Sequence, residues 1–142
     1  IGFIAANVSD LMVPFFNRST TNGASMDLAV SFELVHVTES YRGFGIGTTM
    51  GAELGYALGL SLKNLLSDHP SVLKSLGEIN IDVTYESEFR AGDRVGTALC
   101  SGLSFMLDLE DTLMDIACEN NESLMDIPSR TPTVNVEATN EF

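Results

Sequence analysis

The stretch GIGTTMGAELGYALGLSLKNLL, residues 45–66, carries glycine at every fourth position: Gly47, Gly51, Gly55 and Gly59. Leucines recur in it at helical spacing, so the stretch predicts one long α-helix. Each interior glycine costs a helix roughly 1 kcal/mol relative to alanine. A chain tolerates four of them on one stripe where another backbone approaches too closely for a Cβ atom. The glycine stripe therefore indicates how the rest of the chain packs.

At about 100° per residue, the four glycines cover roughly 120° of the helix circumference. Four leucines fall on or beside that arc: Leu54, Leu58, Leu62 and Leu65. Four polar residues lie roughly opposite: Thr49, Glu53, Lys63 and Asn64. The glycine stripe is therefore predicted to face the core, and we expect a curved antiparallel sheet to wrap around it.

Alternating apolar and polar residues predict half-buried strands at residues 26–34 and 79–85. Residues 95–107 and 114–118 are predicted as two further strands, and residues 131–138 as a fifth. The order of a strand, a glycine-rich helix and several consecutive antiparallel strands predicts an α+β fold, with one helix packed against one sheet face.

A chain of 142 residues is most simply one domain, residues 1–142. Residues 1–20 are predicted as an N-terminal helical segment, in which Ser9 caps a short helix and Pro14 lies near its end. Residues 139–142 are predicted as a frayed tail. The apolar fraction of 44% is ordinary for a globular protein, so the chain is expected to fold.

The chain is strongly acidic, with a formal net charge of −13 and only seven Lys and Arg residues. Nucleic-acid binding needs cations against phosphates, so it is not expected. The two cysteines, Cys100 and Cys118, form no CxxC or zinc pattern, and the two histidines are isolated. No metal and no cofactor are therefore expected.

Residues 43–62 are long enough to span a bilayer, and their spaced glycines also suit helix pairing in lipid. Glu53, Thr48 and Thr49 lie inside that stretch, so membrane insertion is not expected. No basic segment precedes an apolar run at the start of the sequence, so no signal peptide is expected and a cytoplasmic location is predicted. Three Asn-x-Ser sequons give weak support to an extracellular binding domain instead.

The order of these elements resembles the hotdog fold, the superfamily of acyl-CoA thioesterases and acyl dehydratases. Two stretches carry the resemblance, GTTMGAELGYAL at the start of the helix and INIDVTYESEFRAGDRV entering the sheet. It implies a curved antiparallel sheet around one long glycine-rich helix. It also implies a homodimer or a higher multiple, because subunits of that superfamily usually pair and build sites between chains.

By this resemblance, the start of the helix would bind a thioester. Gly51 and Ala52 match the family's paired-glycine positions, where helix N–H groups can polarise a carbonyl oxygen. Met50 is a candidate to line the acyl chain. The resemblance implies an acyl-CoA or acyl-carrier substrate.

Catalysis would need a carboxylate or another group that activates water. Glu53 is the nearest acid, and Thr48 or Thr49 holds the position of the family's histidine. The acid that one subclass places about two turns further along the helix is absent. Two functions therefore remain open: a thioesterase that uses Glu53, Thr48 or Thr49, and a non-catalytic hotdog domain that binds an acyl chain or serves as an assembly partner.

Overall fold

The computed structural model describes residues 2–9, 18–20, 23–86 and 92–141. Its strands are β1 Gly2–Ser9, β2 Arg18–Thr20, β3 Gly23–Val37, β4 Leu76–Glu86 and β5 Thr133–Glu141. Its α-helices are α1 Ile46–Asp68, α2 Pro70–Ser75, α3 Gly92–Met106, α4 Glu110–Glu119 and α5 Ile127–Arg130. A 3-10 turn, Glu39–Tyr41, lies between β3 and α1.

The strands form one mixed sheet with the order β1-β3-β4-β5, and β2 also pairs with β3. β1 and β2 run antiparallel to β3, whereas β3, β4 and β5 are parallel. Parallel neighbours require a long crossover, and helices provide both of them. α1 and α2 connect β3 to β4, and the next three helices connect β4 to β5.

The predicted hotdog architecture is wrong, because two of its antiparallel strands are helices. Residues 95–107 lie mostly in α3, and residues 114–118 lie in α4. What remains is an α+β fold whose three parallel strands are covered by helices on one face, not a sheet curved around one central helix.

The ends of the chain also differ from the predictions. Residues 2–9 and 18–20 are strands, so the N-terminal helical segment predicted for residues 1–20 is wrong there. The remaining residues of that prediction lie outside the described part of the chain. β5 continues to Glu141, through most of the predicted frayed tail. The strands predicted at residues 26–34, 79–85 and 131–138 are confirmed, apart from small shifts at their ends.

The predicted burial of the glycine stripe is confirmed for Gly51, Gly55 and Gly59, whereas Gly47 is only half-buried. The backbone that approaches the stripe belongs to α3 and not to the sheet. A Cβ atom at Gly51 would lie 2.7 Å from the Val95 carbonyl oxygen, and one at Gly59 would lie 2.9 Å from that of Leu103. In return, a Cβ atom at Gly102 would lie 2.6 Å from the Ala52 carbonyl oxygen. The contacts advance in the same direction along both helices, so α1 and α3 pack as a close parallel pair.

The two faces of the parallel strands have opposite character. Side chains that face the helices are apolar, and those of the central strand β4 are almost fully buried. They join helix residues in one core, whose largest fully buried members include Met26, Leu66, Leu73, Ile79, Ile81, Leu99, Leu103 and Leu109. The opposite face, called the open face below, presents polar side chains, including Asp27, Asn80, Asp82, Asn135 and Glu137.

Two glycines shape the turn that leads into α1. Gly43 has φ of 88° and Gly45 has φ of 75°, and a Cβ atom on either would meet no atom within 4 Å. Phe44 between them is 78% exposed. Glycine is therefore favoured at both positions by the left-handed backbone conformation and not by a lack of space for a side chain.

Candidate functional site

The predicted catalytic residues lie on the outside of α1. Thr48, Thr49 and Glu53 are all exposed. Thr49 and Glu53 lie one turn apart on the same face of the helix. The Thr49 hydroxyl donates to the Gly45 carbonyl oxygen at 3.0 Å, so it is engaged with the backbone of its own helix. The structure thus brings Thr49 and Glu53 to one side of α1, where both face solvent.

The predicted substrate-binding residues face elsewhere. Gly51 is buried against Val95 of α3, while Ala52 and Met50 are half-buried. The space beside Gly51, where the resemblance to thioesterases predicts a thioester carbonyl, is therefore occupied by α3. Among the described residues, no helix has the length and apolar character to cross a membrane, and no group of three or more His, Cys, Asp or Glu residues is placed to hold a metal ion.

A groove of about 390 Å³ lies between α3 and β5. Its lining combines hydroxyl, thiol and small apolar groups: Thr97, Cys100, Ser101, Ser104, Val136 and Ala138. The last three α3 residues follow Thr97 by three, four and seven positions, which places all four on one helical face. Sequence reasoning missed all six: it assigned the α3 segment to a strand, and it did not place Val136 and Ala138 at the edge of the sheet.

The groove exists because β5 is the last strand of the sheet. Ile81 and Val83 of the neighbouring β4 are 1% and 0% exposed, since β3 and β5 flank them. Val136 and Ala138 face the helices in the same way but are only half-buried. In the part of the chain that the structure describes, β5 pairs with β4 alone, so its outer edge keeps unpaired backbone groups.

A row of side-chain hydrogen bonds crosses the open face at the level of Asp27. The Asn80 Nδ2 donates to the Asp27 Oδ1 at 3.0 Å, and the Asn135 Nδ2 donates to the Asn80 Oδ1 at 2.9 Å. The backbone register sets these three residues side by side on β3, β4 and β5. An ionised carboxylate only accepts hydrogen bonds, so Asp27 fixes the direction of both amides.

Cys100 is the titratable group that the groove contains. Partial burial raises the pKa of its thiol above the ordinary 9.0, and the nearby Glu137 carboxylate raises it further. Both effects disfavour the thiolate. Because nucleophilic catalysis by cysteine needs the thiolate, this environment suits a neutral contact surface better than a reactive one.

Tyr85 and Asp93 meet at the carboxyl end of β4. The Tyr85 hydroxyl donates a hydrogen bond to the Asp93 carboxylate in the first turn of α3. This bond, with burial and the nearby negative charge, raises the pKa of Tyr85 above 10.0. The pair ties the strand to the helix that forms one wall of the groove.

Comparison with protein-family models, with curated proteins and with solved structures gave no match to this chain.

Proposed function

We propose that this protein is a binding module, and that the outer edge of β5 and the adjoining groove take up an extended segment of a partner protein. The contrast in burial between β5 and β4 carries this proposal. Val136 and Ala138 are half-buried, whereas Ile81 and Val83 at the corresponding positions of β4 are almost fully buried. The groove beside Val136 and Ala138 has a volume of about 390 Å³.

An added strand would satisfy the unpaired N–H and C=O groups along β5. Main-chain hydrogen bonds supply affinity in this mode of recognition, and alternate side chains supply specificity. One set of side chains would point into the groove against Ser101 and Val136, and the other would lie on the open face. Thr97, Ser101 and Ser104 offer hydroxyl groups that adapt to either donors or acceptors.

This proposal is closest to the non-catalytic assembly role that the sequence left open. Thioester hydrolysis stays a prediction, but its structural premise, a hotdog sheet around α1, is wrong. The exposure of Glu53 and the packing of Gly51 against α3 lend it no support. Assembly into a homo-oligomer likewise stays a prediction, and sedimentation velocity would measure the oligomeric state directly.

The test blocks the groove and follows strand addition. Ser101 is exposed and lines the groove, so Ser101→Trp fills it, whereas Ser61→Trp places the same side chain at an exposed position of α1. A panel of extended, β-branched peptides of varied charge is added to each protein, and amide hydrogen exchange along β5 is measured. We expect at least one peptide to slow exchange in β5 of the parent and of Ser61→Trp, and to have no effect on Ser101→Trp. Unchanged exchange in the parent with every peptide would refute the proposal.

A further inference from the structure

We infer that the segment bound at β5 is cationic, with Lys or Arg at alternate residues and small uncharged residues between them. This inference rests on the proposed function and adds the chemistry of the partner. Three features of the described residues carry it: the direction of the amide row, the carboxylates beside it, and the small, uncharged lining of the groove.

The amide row ends in an acceptor at the edge of the sheet. Because Asn135 uses its Nδ2 to donate to Asn80, its Oδ1 remains to accept a hydrogen bond. Asn135 is exposed and lies on the last strand, and its Oδ1 accepts no hydrogen bond from the described residues. This oxygen therefore offers an acceptor to a donor side chain on an added strand, beside the second N–H of the Asn135 Nδ2.

Glu137 lies two residues beyond Asn135 on the same face of β5, and its carboxylate also accepts hydrogen bonds from a donor side chain. It is exposed, and the register places it beside the exposed Asp82 of β4. Two like charges in adjacent register repel each other, and a cation on the next strand relieves that repulsion. Since β4 and β5 contain no Lys or Arg, the chain supplies no such cation from these strands. Asn135 and Glu137 together match donors spaced two residues apart.

The other face of the added strand meets a different surface. Between the groove residues Cys100, Ser101 and Val136 there is room for small side chains, and none of the six lining residues is charged. Burying a charge there would go uncompensated. The residues between the cations should therefore be small and uncharged, such as Ala, Ser, Thr or Val.

The same charges argue against a second copy of this chain as the occupant. Pairing β5 with β5 would bring together two acidic strands, each from a chain with a net charge of −13. Charged residues on edge strands commonly prevent such self-pairing. Here Glu137 would exclude acidic strands and admit cationic ones, so one residue serves both purposes.

The test uses Cys100 as a reporter inside the groove and the exposed Cys118 of α4 as an internal reference. Three peptides share alternating Val and Ser at the groove-facing positions and carry Lys, Thr or Glu at the others. The alkylation rate of each cysteine is measured with and without peptide. We expect the Lys peptide to slow alkylation of Cys100 but not of Cys118, and to act at a lower concentration than the other two.

A charge reversal tests the role of Glu137. Glu137→Lys should weaken protection by the Lys peptide about fivefold and strengthen protection by the Glu peptide. Asp68→Lys changes the net charge equally at the exposed end of α1, lines none of this groove, and should leave protection within about twofold. Protection is the ratio of rates with and without peptide for each variant, because Glu137 also affects the thiolate fraction of Cys100.

The outcomes separate this inference from the proposed function. If the Thr or Glu peptide protects Cys100 as well as the Lys peptide does, the cationic partner is refuted while strand addition stands. If no peptide protects Cys100 or slows exchange in β5, both fail. If Cys100 becomes protected as protein concentration rises without peptide, a second copy occupies the edge and the cationic partner is refuted.

Discussion

Tyr85 and Asp93 join the end of β4 to the start of α3 through one hydrogen bond. Deprotonating Tyr85 would remove the donated proton and set two negative charges against each other. Its pKa is therefore raised in the folded state, which stabilises the fold at every pH below the ordinary tyrosine pKa of 10.0. That contribution is lost as the pH rises from 10.0 through the higher folded-state pKa.

We expect a spectrophotometric titration to show one of the three tyrosines ionising late. Tyr85→Phe should remove this late step and lower the stability to urea at neutral pH. The difference in stability between the parent and the variant should shrink above about pH 10. A difference that stays constant across this range would show that the hydroxyl contributes no proton-linked stability.

The two cysteines should differ in reactivity. Burial and the Glu137 carboxylate raise the pKa of Cys100, so its thiolate is scarcer at a given pH, whereas Cys118 is exposed on α4. At pH 8 we expect iodoacetamide to label Cys118 faster than Cys100, because the thiolate is the reactive form and Cys100 is also less exposed. Peptide mapping by mass spectrometry measures both rates in one sample. Equal rates would mean that the groove is more open than its lining indicates.

At the scale of elements, close packing of α1 on α3 depends on the absence of Cβ atoms. A methyl group at Gly55 would collide with the Leu99 carbonyl oxygen and lie 3.0 Å from the Leu103 nitrogen, both backbone atoms that cannot rotate away. We expect Gly55→Ala to destabilise the fold by about 1–3 kcal/mol, despite alanine's higher helix propensity.

Gly47→Ala is the matched control for this substitution. Its Cβ atom would lie 3.8 Å from the nearest atom, a Val95 methyl group, which is ordinary contact. We expect it to leave the stability unchanged or to raise it by up to about 1 kcal/mol. Chemical denaturation of both variants measures the difference, and equal stabilities would disprove the close approach of α3 at Gly55.

The helix α3 was predicted as a strand because its apolar residues satisfy two periods at once. Val95, Leu99 and Leu103 recur every four residues, which suits a helix, but all are odd-numbered and so also suit strand alternation. Phe105 separates the two interpretations: a strand would bury it with the others, whereas it is 73% exposed. The small residues between them are also compatible with the second face of a strand. In the helix, Gly102 contacts α1, while Cys100 and Ser104 line the groove.

Over the whole molecule, the three helices α2, α4 and α5 are joined by Glu122, which follows α4. Its Oε1 accepts a hydrogen bond from the Lys74 Nζ at 2.7 Å, and its Oε2 lies 3.7 Å from the Arg130 guanidinium. The hydrogen bond to Lys74 is the main cause that lowers the pKa of Glu122 below 4.5. The resulting stability is present above pH 4.5 and is lost as the pH falls through the lower folded-state pKa.

We therefore expect Glu122→Gln to be less stable than the parent at pH 7, and this deficit to shrink as the pH is lowered from 4.5 to 2. Urea denaturation across this range provides the measurement. Glu119→Gln, at an exposed position, is the control. Its stability should be close to that of the parent at both pH 7 and pH 2. If Glu122→Gln were as much less stable than the parent at pH 2 as at pH 7, the charge of Glu122 would not be the source of its stabilising effect.

The long helix and the strands β3 and β4 could be predicted from the sequence because their periodicity is unambiguous, and β5 could be predicted from a weaker alternation. Strand order could not, because it depends on how the crossovers pack. The position of β5 at the edge, which creates the groove beside Cys100, follows from that order. Asn135 and Glu137 appeared in the sequence only as the polar half of a weak strand, and Asp27 gave no local sign that it orients an amide two strands away.

The turn before α1 shows that handedness alone can select a residue. At Gly43 and Gly45 there is ample room for a methyl group, so the obstacle to L-alanine is its chirality, which disfavours positive φ by about 1 kcal/mol. A D-amino acid prefers this region of backbone space. In a semisynthetic protein, D-alanine at Gly45 should therefore match the native backbone conformation and restrict the unfolded chain, whereas L-alanine at the same position would oppose folding.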